Sequence, residues 1–360
     1  MLGKLLSLFG GDNGGQPPEA KAGAKAPASP DAPEKTGPFR PAPDPADENR
    51  VDEAALLAGE LRAAKKIQMG LVPKTFPPIP GCLPFDLYAT LAPAKAIGGD
   101  FYDFWLNGRE LLTLVVGDVS GKGIPAALFM AVCRTYLRAF SRSVREPAKL
   151  LALLNDELSR HNESCMFVTL LCITVHIPTG HVEYANAGHN PPIIRRANGE
   201  TFPLPAAENM PVGFLGGQEY ETRTLDLDIG DKIFLYTDGM PEAFNADGAM
   251  LGEERTLSLF HEAGESGSAR MTVGQLHAEI ADFTGDAEQS DDITLLVYGQ
   301  VDQSSAPDLR GEADASDALE GDSGVFSLSN LDEALPKPTA TAAGVDLGVS
   351  LSRFGPHGGG

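Results

Sequence analysis

The sequence is short of positive charge. Only 28 Lys and Arg stand against 50 Asp and Glu in 360 residues, a formal net charge of -22, and no basic cluster interrupts it. Nucleic acid and anionic lipid reward clustered Lys and Arg, so neither is expected as the main partner. Long apolar runs are missing as well, and none approaches the ~18 consecutive residues of a membrane span. Residues 1–9 are apolar with a single lysine but lack a full hydrophobic region and a small-residue cleavage site, so no signal peptide is expected. The four cysteines, Cys82, Cys133, Cys165 and Cys172, form no Cys-x-x-Cys pair. They read as reduced side chains of a cytoplasmic protein, not as a zinc site.

Hydrophobic residues make up 42% of the chain, enough to build a core. Residues 1–50 are rich in Pro, Ala and Gly, and a disordered leader is expected there because so little apolar surface cannot offset ordering entropy. Residues 301–360 hold ten Asp and Glu against three Lys and Arg and are expected to form a disordered acidic tail, with one short apolar motif at residues 325–328. Residues 51–73 read as a linker or regulatory helix. In "DEAALLAGELRAAKKIQMGLVP", residues 52–73, strong helix formers run from acids to lysines and stop at proline. Leu57, Leu61, Ala64, Gln68 and Leu71 fall near one face, beside Ile67. Such a helix either packs on its own domain or regulates and dimerises the chain.

Residues 74–300 are expected to form one domain. Strand-like stretches "FDLYATLA", "FYDFWL" and "ELLTLVVGD" precede two helices over 124–141 and 147–161. Strands return in "MFVTLLCITVHI", "HVEYANA", "PPIIRR" and "DKIFLYTDG". Helices around 253–263 and 273–283 and a last strand, "DDITLLVYG", complete the region. Glycine-turned strands with grouped helices predict an α+β architecture with antiparallel sheets.

Four of these strands end on acid. Asp100 precedes "FYDF", Asp118 follows "LLTLVVG", Asp238 follows "KIFLYT", and Asp291 and Asp292 open "ITLLV". A single Asp at a strand end commonly caps local backbone. Four such ends brought together would instead repel one another within ~6 Å unless a cation compensated them. The set is all oxygen, which suits hard Mg²⁺ or Mn²⁺ over Zn²⁺. Two such ions ~3.5–4 Å apart would activate a shared water for in-line attack on a phosphoryl group.

The motifs "GGDFYD", "GDVSGKGIPAAL", "NAGHNPP", "YTDGMPEA" and "SDDITLLV" together resemble the metal-dependent (PPM, protein phosphatase 2C-type) serine/threonine phosphatases, in particular the bacterial SpoIIE-like branch, over about residues 63–299. The resemblance implies a four-layer α-β-β-α sandwich of two mainly antiparallel sheets flanked by helices, with two Mn²⁺ or Mg²⁺ ions at one edge. On it, Asp118 bridges both metals, the Val119 carbonyl helps hold the second, Asp238 and Asp291 complete the first, and Asp100 serves the second. Asp292 is expected to point away from Asp291 by strand alternation and to support the site from outside. Asp103 faces the other side of its strand from Asp100 and reads as a turn, surface or scaffold acid. Lys95 is either a phosphate-binding cation or a solvated surface lysine, and it lacks the fork of an arginine. Gly121 and Gly123 are expected to allow a tight turn, Lys122 to be exposed, and Trp105 to pack. His189 either acts as a general acid or orders its loop, and is left outside the catalytic set.

The implied activity is hydrolysis of phosphoserine or phosphothreonine by metal-activated water, without a phosphoenzyme, in a signalling or stress-response pathway regulating a sigma factor. The implied substrate is a small STAS-domain anti-sigma-factor antagonist. Input is expected through a regulatory partner or a homodimer using the 51–73 helix, docked on the two helices after Asp118. Two rival readings are a pseudophosphatase that binds phosphoprotein and a phosphoesterase acting on a small phosphoester.

Overall fold

The computed structural model describes residues 45–77, 84–160, 162–206 and 209–302, with side chains from residue 55 onward. Cys82, residues 1–44 of the expected leader, and the expected tail from residue 303 with its apolar motif lie outside the described residues. The chain divides into two compact units after Glu53. The described part of the first is only the opening of one helix. The second, from Ala54, carries the rest of that helix and all of the described strands.

Helix α1 spans Pro45–Leu71. It starts seven residues before the expected Asp52, inside the stretch read as leader. The overlooked signal is Asp44-Pro45-Ala46-Asp47-Glu48, a capping-type acid, a proline suited to the first helical position, and acids for the first turn. Strands β1 (Asp86–Ala92), β2 (Phe101–Asn107) and β3 (Leu111–Val119) come after it. Helices α2 (Ile124–Phe140) and α3 (Pro147–Ser159) come next, then β4 (Val168–His176), β5 (His181–Ala187) and β6 (Ile193–Arg195). Strands β7 (Thr201–Pro203) and β8 (Arg223–Asp226) escaped the sequence reading, being too short to show alternation. Strand β9 (Lys232–Tyr236), helices α4 (Glu253–Ala263) and α5 (Ala269–Thr284), and β10 (Ile293–Gly299) complete the order. Helix α5 begins four residues earlier than expected because Ser268 caps it, its hydroxyl accepting from the Met271 N–H at 3.3 Å.

The strands form two five-stranded sheets, ordered β1-β10-β9-β6-β7 and β2-β3-β4-β5-β8, with every pairing antiparallel. Helices α2 and α3 cover the second sheet, and α4 and α5 cover the first. This is the expected α-β-β-α sandwich. Strand alternation explains the layers. In β9, Ile233 and Leu235 enter the core between the sheets, while Phe234 and Tyr236 face α4 and α5; in β10, Leu296 and Tyr298 face inward and Leu295 and Val297 outward. A strand apolar on both faces is thus fed by two cores.

Asp103 is neither a turn nor a surface acid. It is fully buried, facing away from Asp100 onto α2, with Arg134 Nε at 2.9 Å and Arg138 Nη2 at 2.5 Å. The Arg138 guanidinium also lies 5.0 Å over the Trp105 ring, so β2 is riveted to α2 by charge and stacking together. In the variant Asp103→Asn both guanidiniums lose their counter-charge. Urea unfolding is expected to show a loss of about 3 kcal/mol; an unchanged midpoint would contradict this role.

Candidate active site

The sandwich brings the predicted acids to one edge of the seam between its sheets. Asp118 sits at the end of β3 and Asp100 just ahead of β2, both in the second sheet; Asp238 lies just past β9 and Asp291 just ahead of β10, both in the first. Asp118 meets Asp100 and lies close enough to Asp238, Asp291 and Asp292 for their charges to raise its pKa, and Asp238 is raised in turn by Asp291. Asp118, Asp291 and Asp292 line a cleft shared with Lys95 and Lys122, whose volume of about 10 Å³ is room for one water-sized body. A larger cavity of about 380 Å³, around Arg195, Lys232 and Gly264, lies at the opposite end of β9 and contains none of these acids.

Asp100 is the deepest of the set, only 2% exposed. Its Oδ2 accepts from the Thr237 hydroxyl at 2.7 Å and the Thr294 hydroxyl at 2.8 Å. Both threonines occupy positions where the alternation of β9 and β10 points inward, so hydroxyls replace the apolar side chains that fill the core further along. Sequence reasoning missed them, although a threonine on the inward phase of "IFLYT" and "DDITLL" was the available signal.

Burial and like charge act together on these carboxyls. Burial raises Asp100 well above the ordinary carboxylate range, Asp118 adds to the effect, and the threonine hydroxyls oppose it. Asp118 is pushed up to about 7, first by burial and then by Asp238, and it shares a hydrogen bond with Asp100. Asp238 is raised to about 6 by burial, then by Glu242 and Asp291, with Lys122 opposing. Two acids in contact at the bottom of the site therefore hold a proton between them.

The Gly98-Gly99 pair answers to close packing. A Cβ at Gly98 would fall on the Asp292 carboxylate, and one at Gly99 would sit 2.7 Å from the Val119 carbonyl oxygen. Asp292 is buried and, against the expectation from strand alternation, lines the same cleft as Asp291. Its Oδ1 accepts from the Ala94 N–H at 2.9 Å, and its Oδ2 from the Gly99 N–H at 2.9 Å and the Asp100 N–H at 3.4 Å. Asp292 thus ties the irregular loop before Asp100 to the start of β10. The Val119 carbonyl lies against Gly99, beside this loop.

Of the lysines, Lys95 is exposed on the cleft rim. Lys122 is not merely exposed: its Nζ lies 2.7 Å from Asp291 Oδ2 and donates to the Ser290 carbonyl at 3.0 Å. Its pKa is raised, first through the hydrogen bond to Asp291. Sequence reasoning passed over it, although the turn between Gly121 and Gly123, both at positive φ, holds it only four residues from Asp118. His189 is buried; its Nδ1 meets the Thr169 hydroxyl at 2.9 Å, and Asn186 brackets its backbone with bonds of 2.8 and 3.0 Å. Burial pushes its pKa down to about 4, so a neutral imidazole orders the loop.

Among the described residues, no three His, Cys, Asp or Glu side chains enclose a cation position. The donors nevertheless fit a hard divalent ion in kind. They are carboxylate and carbonyl oxygens, and among these acids Lys122 is paired with Asp291.

The raised pKa of Asp118 has a direct consequence for stability. Its folded value of about 7 lies above the ordinary 3.8, so the stability it contributes is present at low pH and lost as pH rises through 7. In chelator, Asp118→Asn is therefore expected to be more stable than the wild type by about 1–3 kcal/mol near pH 8, with the gap closing near pH 5. Thermal unfolding at the two pH values reads this out, and a gap independent of pH would contradict it.

Comparisons with known proteins agree with this architecture. Residues 108–299 match the family described as Stage II sporulation protein E (SpoIIE), a span that holds Asp118, Asp238 and Asp291 but not Asp100 or Lys95. The chain is 28% identical over 212 residues to phosphoserine phosphatase RsbU of Bacillus subtilis, covering 59% of this chain and 62% of that protein. It is 26% identical over 264 residues to protein IcfG of Synechocystis sp., covering 66% of this chain and 41% of that one. The alignments thus span between two fifths and two thirds of these relatives' lengths. The SiaA-PP2C domain of Pseudomonas aeruginosa superposes with a TM-score of 0.59 at 22% identity, over 69% of this chain and 98% of that domain, which speaks to the fold alone. Among the described residues no helix is long and apolar enough to cross a membrane. With the family match covering more than half of its residues, this chain belongs to the SpoIIE family.

Proposed function

We propose that this chain is a metal-dependent protein serine/threonine phosphatase. The observation that carries the reading is the meeting of Asp100, Asp118, Asp238 and Asp291, from both sheets, at one edge where burial and like charge raise the pKa of Asp100, Asp118 and Asp238. An all-carboxylate cluster under this strain calls for added positive charge, and a phosphate monoester is a substrate that needs it too. Family membership and the relative named a phosphoserine phosphatase support the same reading.

Two divalent cations, Mn²⁺ or Mg²⁺, would supply the activated water and neutralise the phosphoryl group when bound. Asp118 and the Val119 carbonyl, with Asp100 beneath, would hold one of them, and Asp118, Asp238 and Asp291 the other. Asp100 keeps a fixed orientation through Thr237 and Thr294, so the deepest donor does not need to reorganise. Lys95 and Lys122 place two ammonium groups on the cleft, where they can meet phosphate oxygens as point charges.

The substrate we assign is a phosphoserine or phosphothreonine on a small STAS-domain antagonist within a sigma-factor pathway. Its support is the SpoIIE-type motif set and the phosphoserine activity in the name of the RsbU relative. Regulatory input through α1, by a partner protein or a second copy of the chain, is in keeping with its exposed Leu56, Leu57 and Ile67.

With Mn²⁺ or Mg²⁺, the purified chain is expected to hydrolyse para-nitrophenyl phosphate and a phosphoserine protein. Chelator should abolish turnover, and Asp118→Asn or Asp238→Asn should lower it at least about 100-fold. A wild type silent at every metal concentration would favour a phosphoprotein-binding module. Activity on small esters but not on phosphoprotein would move the substrate class.

A further inference from the structure

Gln68 is a polar residue on the face of α1 that turns inward, and it is only 5% exposed. Both ends of its amide go to one residue: Nε2 donates to the Gly98 carbonyl at 2.6 Å, and Oε1 accepts from the Gly98 N–H at 3.2 Å. A single side chain thus satisfies the whole hydrogen-bonding capacity of Gly98, as a neighbouring strand would. No strand or helix holds this stretch, since the loop between β1 and β2 is irregular up to Asp100. From the other side, Asp292 takes the N–H groups of Ala94, Gly99 and Asp100. The backbone of Gly98–Gly99 is therefore gripped between α1 and the residue next to Asp291.

Gln68 would be an ordinary satisfied core amide if its partner lay in a sheet. Its partner lies instead two residues before the most buried carboxylate of the site. Gly98 has no side chain to anchor it, and its Cβ position is filled by Asp292. Releasing the Gln68 side leaves Asp292 as the side chain holding the backbone ahead of Asp100, while Thr237 and Thr294 hold only its carboxylate.

We propose that Gln68 is a positioning residue for the divalent-cation site, setting cation affinity by fixing the Gly98–Asp100 backbone beside Asp118. The inference rests on the reading of that site as a metal site. Gln68 touches none of the acids itself and acts through the loop.

The test uses the full chain, with Gln68→Met as the main variant because it keeps length and volume while removing both hydrogen bonds. Calorimetric titration with MnCl2 is expected to show binding to the wild type and at least about tenfold weaker binding to the variant. Amide hydrogen exchange in chelator should accelerate in peptides covering residues 94–104 and stay unchanged in those covering β4 and β5. Gln68→Ala should behave in the same way, and it decides the matter if Gln68→Met does not fold. Wild-type binding with an unchanged affinity in a folded variant overturns this inference alone. So does faster exchange spread evenly over the whole domain with affinity preserved, which marks a purely structural role. A wild type that binds no Mn²⁺ overturns the reading of the site, and this inference with it.

Discussion

Like charge held in a buried seam is the constraint around which this structure is arranged. Asp100 and Asp118 meet where the two sheets come together, with Asp238, Asp291 and Asp292 close enough to add to their repulsion. Removing a carboxylate from water costs several kcal/mol unless it is paired or protonated. The chain meets that cost in three ways: a proton shared between Asp100 and Asp118, threonine hydroxyls on Asp100, and Lys122 on Asp291. None of these supplies a charge of more than one at the centre of the group. A divalent ion would, which is why the same geometry that strains the free protein makes a cation site.

Two other buried acids show how differently the fold can treat a carboxylate. Asp103, three residues from Asp100, is fully neutralised by Arg134 and Arg138 and serves to fasten β2 to α2. Asp292, next to Asp291, is neutralised by backbone N–H groups and fastens a loop. Both are held by partners within the protein. Asp118 and Asp238 are left with raised pKa values and few partners, which is the mark of groups kept for chemistry.

Much of this was legible in the residues. Apolar runs ending in glycine or acid identified the long strands, and the acids at their ends raised the question of whether those ends meet. The alternation rule sorted Asp103 from Asp100, though it could not say what Asp103 would meet on the far side; it failed for Asp292, which lies ahead of β10 and lines the same cleft as Asp291. What stayed hidden depends on contacts across long sequence separations. Gln68 read as one more member of a helix face, because nothing local ties it to Gly98, thirty residues on. Thr237 and Thr294 read as ordinary strand residues until the sheets placed them both on Asp100. Lys122 read as a solvated turn residue because its partner Asp291 lies 169 positions away. Strands β7 and β8 and the first turns of α1 were lost for a simpler reason, being too short or too polar to carry a periodic signal.

The central claim is that a divalent cation replaces protons in this cluster, and calorimetric titration with Mn²⁺ near pH 6.5, in buffers of different ionisation enthalpy, tests it most directly. Binding should release protons, because burial and like charge raise Asp118 to about 7 and raise Asp100 well above the ordinary carboxylate range, and the observed heat should change with the buffer accordingly. The release should shrink in Asp118→Asn. Absence of binding, or binding with no proton release, would contradict the account.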